Sequence, residues 1–441
     1  MRWALSVTMA AAMLAAGWEA TAMGEEAKAA LSAERMDARI QEHRTAEVAL
    51  TVEGPDGEPL AAQAVTIRQV RHKFLFGSNA FRVEGLREPA MERAYRKRFS
   101  DLLNFATLPF YWGSYEPQQG KTSKDRLTKM AQWCRSEGIR TKGHPLCWHT
   151  VVPPWLQGKE PAEAEALQWA RIERDAKDFA GLVDTWDVVN EAVVMPDFNK
   201  PNPISRLCKS VGQVELIKRA FDHARKANPT ATLLLNDFDV SPRYQKLLRE
   251  CLDAGVPIDV IGIQSHMHAQ YWGPQKAWEV CERFAGLGKP LHFTELTILS
   301  GKDKTDQDWM GHHPGWDSTP EGEKLQAERV AELYTVLFSH PSVEAITWWD
   351  FSDEGAWQGA PAGLVRKDMS PKPAYDALMK LVKGAWWTRE VKQTTDEKGR
   401  VTFRGFLGDY TVEAPAGKGA FALDRSGKRR VSVTVRPRIP E

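Results

Sequence analysis

Two glutamates, Glu191 and Glu295, stand at the ends of short apolar runs that lie far apart in the chain. Each run is typical of a buried strand: VDTWDVVNEA contains the first glutamate and PLHFTEL contains the second. One carboxylic acid can protonate a leaving oxygen while a second carboxylate attacks or stabilises an anomeric carbon. The pair therefore predicts glycosidase chemistry, provided that the fold brings the two strand ends together.

Imidazole, amide and indole side chains occupy the ends of other apolar runs. Indole rings offer flat faces to sugar rings, and amide and imidazole groups hydrogen-bond to hydroxyls. The candidates for substrate binding are His144, Trp148, Asn190, Gln264, His266, Trp349 and Trp357. Packing alone is the alternative interpretation of Trp357. His266 and His268 could instead hold a metal, but the sequence offers no evident third ligand. His312 and His313 fall in a long loop, where we expect surface residues.

The elements that must position these side chains repeat regularly from residue 72 onward. Eight apolar runs alternate with amphipathic, helix-like segments; the runs are KFLFG, FATL, RTKGHPLCW, VDTWDVVNEA, ATLLLNDFD, IDVIGIQSH, PLHFTEL and VEAITWWDFSD. Eight strand–helix units predict an α/β fold, a (β/α)8 TIM barrel, whose active site lies at the C-terminal ends of the strands. A doubly wound open sheet is the alternative, but no glycine-rich phosphate loop follows the first strand.

The termini predict three further segments around a barrel at residues 72–383. Residues 1–22 contain a basic start, a short apolar run and an A-x-A-like cleavage site, which predicts a signal peptide and a secreted or periplasmic protein. A short membrane anchor is the alternative. Residues 23–71 predict a helix and a β-hairpin around Asp56-Gly57, and residues 384–441 predict a small β-extension. Strands of the two extensions could pair with each other.

Charge and cysteine content restrict the possible partners. The formal net charge of the 441 residues is +1, so no overall field favours nucleic acid or an anionic membrane. We expect a monomer that binds a polysaccharide or oligosaccharide and, after signal cleavage, no membrane. Five cysteines leave at least one thiol unpaired in a monomer. The sequence does not decide whether Cys251 and Cys281 form a disulfide.

Long motifs across residues 72–383 resemble glycoside hydrolase family 10, the β-1,4-xylanases. They are KGHPLCWHTVVPPW (142–155), WDVVNEAV (186–193), NDFD (236–239), IDVIGIQSHMH (258–268), HFTEL (292–296), WWDFSDEGAW (348–357) and PKPAYDAL (371–378). The resemblance implies a retaining endo-xylanase-like enzyme that needs no cofactor. It implies Glu191 as the acid/base, Glu295 as the nucleophile and Asn190 as a ligand of the sugar 2-hydroxyl. The other candidates named above would line the adjacent subsites.

The stretch FATLPFYWGSYEPQQGK, residues 105–121, departs from the resemblance. The family usually has PENEMKW here, and its Glu, Asn and Lys, which bind hydroxyls of the glycone sugars, fall on Thr107, Leu108 and Tyr111. We expect an aromatic, apolar glycone wall that includes Phe110 and Trp112, and poor binding of unsubstituted xylo-oligosaccharides.

A second departure is Thr297, which stands where the family usually has an Asp that orients the nearby His. Both departures leave two alternatives to a xylanase. One is a retaining glycosidase for another or a decorated β-glycan. The other is a non-catalytic carbohydrate-binding barrel, which the presence of both glutamates and Asn190 argues against.

Overall fold

A computed structural model describes residues 28–306, 308–309 and 311–437 of the chain. The predicted signal peptide, residues 1–22, lies outside the described residues. Within them, no helix combines the length and the apolar character that crossing a membrane requires. All five cysteines are buried free thiols, so Cys251 and Cys281 do not form a disulfide.

The described residues form sixteen strands and eleven α-helices. The strands are β1 Thr45–Glu53, β2 Ala64–His72, β3 Leu75–Asn79, β4 Phe105–Pro109, β5 Arg140–His144, β6 Thr185–Asn190, β7 Thr232–Asp237, β8 Val260–Ile263, β9 His266–Met267, β10 Leu291–Ile298, β11 Val343–Trp348, β12 Val391–Thr394, β13 Arg400–Phe406, β14 Gly408–Ala414, β15 Gly417–Leu423 and β16 Gly427–Thr434. The helices are α1 Ala33–Arg44, α2 Pro89–Leu102, α3 Trp112–Tyr115, α4 Lys124–Ser136, α5 Pro161–Asp178, α6 Pro203–Val211, α7 Gln213–Ala227, α8 Pro242–Asp253, α9 Gly273–Ala285, α10 Pro320–Ser339 and α11 Pro373–Lys380.

Eight parallel strands close into a barrel in the order β3-β4-β5-β6-β7-β8-β10-β11, with β11 paired to β3. The predicted (β/α)8 barrel is confirmed, and each of the eight apolar runs supplies one strand. The short strand β9 pairs only with the end of β10. Because all strands run in one direction, their C-terminal ends meet on one face of the barrel.

Side chains of neighbouring strands also pack closely on the outer face of the barrel, toward the helices. Gly143 on β5 shows how close this packing is, because a Cβ atom at that position would lie 2.1 Å from the Trp186 ring on β6. The surrounding helices bury one face each. On α7 the buried residues follow helical spacing, with Leu216, Ala220 and Ala224 one turn apart.

The chain termini together form a small sandwich of two sheets beside the barrel. Strand β1 lies between β13 and β16, and β2 lies between β12 and β14, with β15 at the edge. The expected pairing of strands from the two termini is therefore confirmed. The predicted hairpin around Asp56-Gly57 is confirmed only at its turn, where Glu53 and Pro59 form an antiparallel bridge, and it is wrong for β1 and β2, which belong to different sheets. Their alternating burial gives each strand one apolar face, and the two faces meet in a common core around Leu50 and Ile67.

Helix α1, the described part of the helix predicted over residues 23–45, ends on the barrel base. Its last residue, Arg44, is half-buried and donates hydrogen bonds to three main-chain carbonyls. Nε donates to Phe338 O at 2.8 Å, and Nη2 donates to His340 O at 2.5 Å and Val343 O at 2.7 Å. The guanidinium thus satisfies the C-terminal carbonyls of α10 and the first carbonyl of β11.

We expect Arg44→Ala to lower the free energy of unfolding by about 2 kcal/mol or more, because it leaves partly buried carbonyls without a donor. Arg35→Ala, on an exposed position of the same helix, is the matched control and should change it by less than about 0.5 kcal/mol. Urea unfolding followed by circular dichroism measures both. Equal effects of the two substitutions would contradict this role of Arg44.

Candidate active site

The two glutamates and the predicted binding side chains converge at the C-terminal face of the barrel. Asn190 ends β6 and Glu191 follows it, while Glu295 lies near the C-terminal end of β10. His144 ends β5, and Trp349 follows β11. The closed barrel therefore brings residues more than a hundred positions apart into one site.

Glu191 accepts hydrogen bonds only from uncharged donors. Trp148 Nε1 donates to its Oε2 at 2.9 Å, and Gln264 Nε2 donates to its Oε1 at 3.2 Å. The Glu191 backbone has φ of +55°, a left-handed conformation that is rare for a residue with a long side chain. Strained conformations of this kind concentrate at functional sites.

Glu295 lies between two imidazoles. His266 Nε2 lies 2.9 Å from its Oε2, and His144 Nε2 lies 4.0 Å from its Oε1. The other nitrogen of His266, Nδ1, lies 3.1 Å from the Thr297 hydroxyl. A neutral His266 satisfies both contacts when Nε2–H donates to Glu295 and Nδ1 accepts from Thr297. Thr297 thus orients the imidazole where the family usually has an aspartate.

Asn236 connects the two glutamates, and the sequence analysis did not select it as a site residue. Its Nδ2 donates to Glu295 Oε1 and to Asn190 Oδ1, both at 2.8 Å. Asn190 Oδ1 also accepts from Gln264 Nε2 at 3.1 Å, and Gln264 reaches Glu191. A polar residue at the end of the LLLND run was the available signal.

A glycine makes room for Asn236. A Cβ atom at Gly262 on the neighbouring strand β8 would lie 2.5 Å from Asn236 Oδ1. That oxygen accepts a hydrogen bond from Thr294 Oγ1 at 2.6 Å, which fixes the amide with its nitrogen toward the glutamates.

A buried ion pair supports His144 from below. His144 Nδ1 donates to Asp187 Oδ2 at 2.7 Å, and Lys142 Nζ lies 2.6 Å from the same oxygen. Burial would raise the pKa of Asp187, but Lys142 and His144 outweigh it and hold that pKa below its usual value. Lys142 and Asp187 are fully buried inside the barrel, and the sequence analysis did not single them out.

The two glutamates differ in their affinity for a proton. Burial, together with the charge of Glu295, raises the pKa of Glu191 to about 7 despite the bond from Trp148. Burial also acts on Glu295, but the nearby His144 and the hydrogen bond from His266 hold its pKa below the usual value. Near neutral pH, therefore, Glu191 can hold a proton while Glu295 is ionised.

Two tryptophans border the site from the β11 end. The Trp349 ring lies 5.5 Å from the His144 ring and 5.8 Å from the His266 ring, measured between centroids. Trp357 is about one-third exposed, and its ring centroid lies 4.8 Å from that of His266. Trp357 therefore has part of its surface exposed beside the site, and its role in substrate binding stays a prediction.

The other predicted histidines lie outside this network. His268 is buried under Trp357, with ring centroids 5.1 Å apart. Among the described residues, no three His, Cys, Asp or Glu side chains are grouped to hold a metal ion. His312 is exposed as expected. His313 is half-buried, and its Nε2 lies 2.8 Å from Lys304 Nζ.

The prediction of an apolar glycone wall is wrong for most of the residues named for it. Leu108 and Phe110 are fully buried, and the Phe110 ring packs 4.7 Å from the Trp186 ring and 4.9 Å from the Phe179 ring, between the barrel and its helices. Trp112 is buried against Trp155. Strand β4 and the start of α3 turn these side chains into the core, and Tyr111 alone reaches the site.

Tyr111 contacts the rings of His144 and Trp148, with centroids 5.4 Å and 5.6 Å away. Burial raises its pKa well above the ordinary value, and the charges of Glu295 and Asp350 add to this. The phenol therefore stays protonated and can donate a hydrogen bond.

Comparison with known proteins agrees with this arrangement. The profile of Glycosyl hydrolase family 10 matches residues 71–381. The chain belongs to this family. Curated relatives of the chain include proteins described as endo-1,4-β-xylanases.

Individual relatives are similar over the barrel. The chain is 29% identical to an endo-1,4-beta-xylanase/feruloyl esterase of Xylanibacter ruminicola over 62% of its length, but covers only 40% of that relative. It is 28% identical to endo-1,4-beta-xylanase B of Thermotoga neapolitana, covering 62% of this chain and 78% of the relative. The crystal structure of xylanase 10B from Thermotoga petrophila in complex with xylobiose superposes with a TM-score of 0.59 at 26% identity, covering 71% of this chain and 95% of that one.

We expect Glu191→Gln to stabilise the protein at alkaline pH. Since the pKa of Glu191 is raised by folding, its ionisation destabilises the folded state, and this cost grows as the pH rises from the unfolded pKa through about 7. The substitution removes a cost on the order of 2 kcal/mol at about pH 8 and a smaller one at about pH 5. Urea unfolding at both pH values measures it.

Glu328→Gln is the matched control, because Glu328 lies on an exposed position of α10. Its effect on the free energy of unfolding should stay below about 0.5 kcal/mol at both pH values, as for an exposed surface substitution. If Glu191→Gln gave the same gain at both pH values, the raised pKa of Glu191 would be refuted.

Proposed function

We propose that the protein is a secreted or periplasmic retaining glycosidase that cleaves β-1,4-xylosidic bonds in xylan-type polysaccharide. The observation that carries this proposal is the contrast between the two glutamates in one hydrogen-bonded chain. Glu295 lies between His266 and His144, whereas the side chains that donate to Glu191 are the indole of Trp148 and the amides of Gln264 and Asn190. The xylanase relatives support xylan as the substrate class, and no cofactor or partner subunit is part of the proposal.

In the first step, Glu295 attacks the anomeric carbon as the glycosidic bond breaks. Glu191 gives its proton to the leaving oxygen, and a covalent glycosyl-enzyme forms. In the second step, Glu191 takes a proton from water, and the resulting hydroxide equivalent displaces Glu295 from the anomeric carbon. The pKa of about 7 suits Glu191 to both tasks, because it must hold a proton first and accept one later.

Asn190 is positioned to bind the reacting sugar. Its Oδ1 already accepts from Asn236 and Gln264, so both oxygen lone-pair directions are used. The Nδ2 group of Asn190 also donates to Glu191, and we assign its second N–H to the sugar 2-hydroxyl, a contact that strengthens in the transition state. His144, Trp148, Gln264, His266, Trp349 and Trp357 complete the proposed substrate-binding set.

A retaining glycosidase for another or a decorated β-glycan is the second candidate. It is favoured by Tyr111, which places a neutral phenol where the family usually has a lysine. A panel of xylans, glucans and aryl glycosides with product analysis distinguishes the two candidates.

Glu295→Ala should abolish turnover of every substrate, because no covalent intermediate can form. Glu191→Ala should slow substrates with poor leaving groups by orders of magnitude more than activated aryl glycosides, since the latter need no proton. Added azide should then rescue the Glu191 variant and yield a β-glycosyl azide. An equal loss on all leaving groups would rule out Glu191 as the acid.

The first product should be the β-anomer, because two displacements restore the configuration of the anomeric carbon. Proton NMR of the early reaction mixture detects it before mutarotation. Appearance of the α-anomer first would mean that the two carboxylates act on opposite faces with a water between them, which is the inverting mechanism.

A further inference from the structure

Aromatic rings form a continuous wall across the ends of β5, β4, β3 and β11. The wall begins at Trp148 and His144 and continues through Tyr111, as described above. Phe81, in the loop after β3, closes it: its ring lies 5.8 Å from that of Tyr111 and 5.4 Å from that of Trp349. Edge-to-face rings at these separations are in van der Waals contact. No gap therefore separates Phe81 from either neighbouring ring.

The wall stands on the glycone side of the cleavage point. The leaving group departs toward the acid, Glu191, at the end of β6. The sugar that becomes bonded to Glu295 therefore lies on the other side, over the ends of β11, β3 and β4. A glycone of several sugars would need an open groove between these strand ends, where Phe81 and Tyr111 stand.

A third carboxylate lies beside this wall, near Tyr111 and His266. Asp350, the second residue after β11, has φ of +69°, a left-handed conformation that costs free energy in a residue other than glycine. Its Oδ2 accepts from the Trp357 main-chain N at 2.9 Å, and its Oδ1 accepts from Asn79 Nδ2 at 3.3 Å. Asn79 ends β3, so this hydrogen bond joins the two strands that close the barrel.

Asp350 has unused hydrogen-bonding capacity at the site. An ionised carboxylate offers about four lone-pair directions, and the two bonds above use two. Its side chain has no lysine or arginine ion-pair partner within 4 Å among the described residues. Asp350 is 7% exposed, compared with 4% for Glu295. The Asp350 side chain is therefore at least as accessible to a substrate as the Glu295 side chain is.

We propose that the glycone side is a closed pocket for a single sugar, whose 4-hydroxyl is bound by Asp350 and Asn79. This proposal rests on the proposed function and specifies its substrate. In a β-1,4-linked chain, a free 4-hydroxyl exists only at the non-reducing end. The enzyme would then remove one sugar at a time from that end, unlike the endo-xylanases to which the barrel is similar.

The wall is tested with two chromogenic substrates on the full-length protein. We expect kcat/KM for release of nitrophenol to be at least 10-fold higher with 4-nitrophenyl β-xyloside than with 4-nitrophenyl β-xylobioside. Xylohexaose with a fluorescent tag at its reducing end should first yield the tagged pentasaccharide. A preference for the xylobioside, or tagged products of mixed length from the start, would overturn the proposal.

Phe81→Ala should open the wall and reduce the xyloside preference at least 10-fold in kcat/KM ratio. Leu325→Ala, a comparable truncation at an exposed position of α10, should leave the ratio unchanged. Since the readout is a ratio for one protein, a loss of stability alone does not move it. An unchanged ratio in Phe81→Ala would refute the wall.

Asp350→Asn tests the 4-hydroxyl contact, and asparagine tolerates the left-handed backbone. We expect about a 10-fold loss of kcat/KM or more with 4-nitrophenyl β-xyloside, as for removal of a hydrogen bond to a charged group. The loss should shrink to less than about 3-fold with the 4-deoxy xyloside, which has no hydroxyl to bind. An equal loss on both substrates would assign Asp350 a structural role and refute the contact.

A separate labelling experiment distinguishes failure of the closed pocket from failure of the proposed glycosidase function. The inactivator 2,4-dinitrophenyl 2-deoxy-2-fluoro-β-xyloside should attach covalently to Glu295, as peptide mass spectrometry can detect. Labelling of Glu295 with a xylobioside preference would refute the closed pocket alone. No labelling, together with no turnover of any xyloside, would refute the glycosidase proposal and the pocket with it.

Discussion

The chemistry of this site depends on keeping two buried carboxyl groups in different protonation states. Burial raises the pKa of both, because it disfavours the charged form. The difference comes from their neighbours: imidazoles surround Glu295, while an indole and an amide contact Glu191. Two carboxyl groups with identical surroundings would share one proton between them. Neither group could then serve only as the acid or only as the nucleophile.

This asymmetry extends into the barrel interior. The imidazole of His144 is held by Asp187, and Asp187 is in turn neutralised by Lys142. Charges this deeply buried persist only when they are paired. Because Lys142 and Asp187 lie on the adjacent strands β5 and β6, the pairing of these two barrel strands also fixes the imidazole beside Glu295. The position of the His144 imidazole beside Glu295 therefore depends directly on the pairing of the barrel strands.

The repeated apolar runs were sufficient to predict the eight barrel strands, and the polar residues at their ends predicted where the site lies. The network inside the site was less accessible, because Asn236, Asp187 and Lys142 sit in runs whose pattern indicates only a strand. Their partners are set by strand neighbours that are distant in sequence. The hairpin prediction failed beyond its turn for a similar reason: β1 and β2 pair with C-terminal strands in two different sheets, and their apolar faces meet in the core between those sheets.

The glycone side shows how much depends on which face of a strand a residue occupies. Thr107 and Leu108 are fully buried where they stand on β4, so replacing the family's hydroxyl-binding residues there did not create an apolar sugar platform. Neighbouring strand ends supply other groups instead. Phe81 and Asn79 come from β3 and its loop, and Asp350 follows β11. Because strand ends in a closed barrel all face one site, a hydrogen-bonding group that one strand does not provide can come from its neighbours. Asp350 keeps a left-handed backbone while its two oxygens accept from Trp357 N and Asn79 Nδ2, and in the proposed pocket the same carboxylate also binds the substrate 4-hydroxyl.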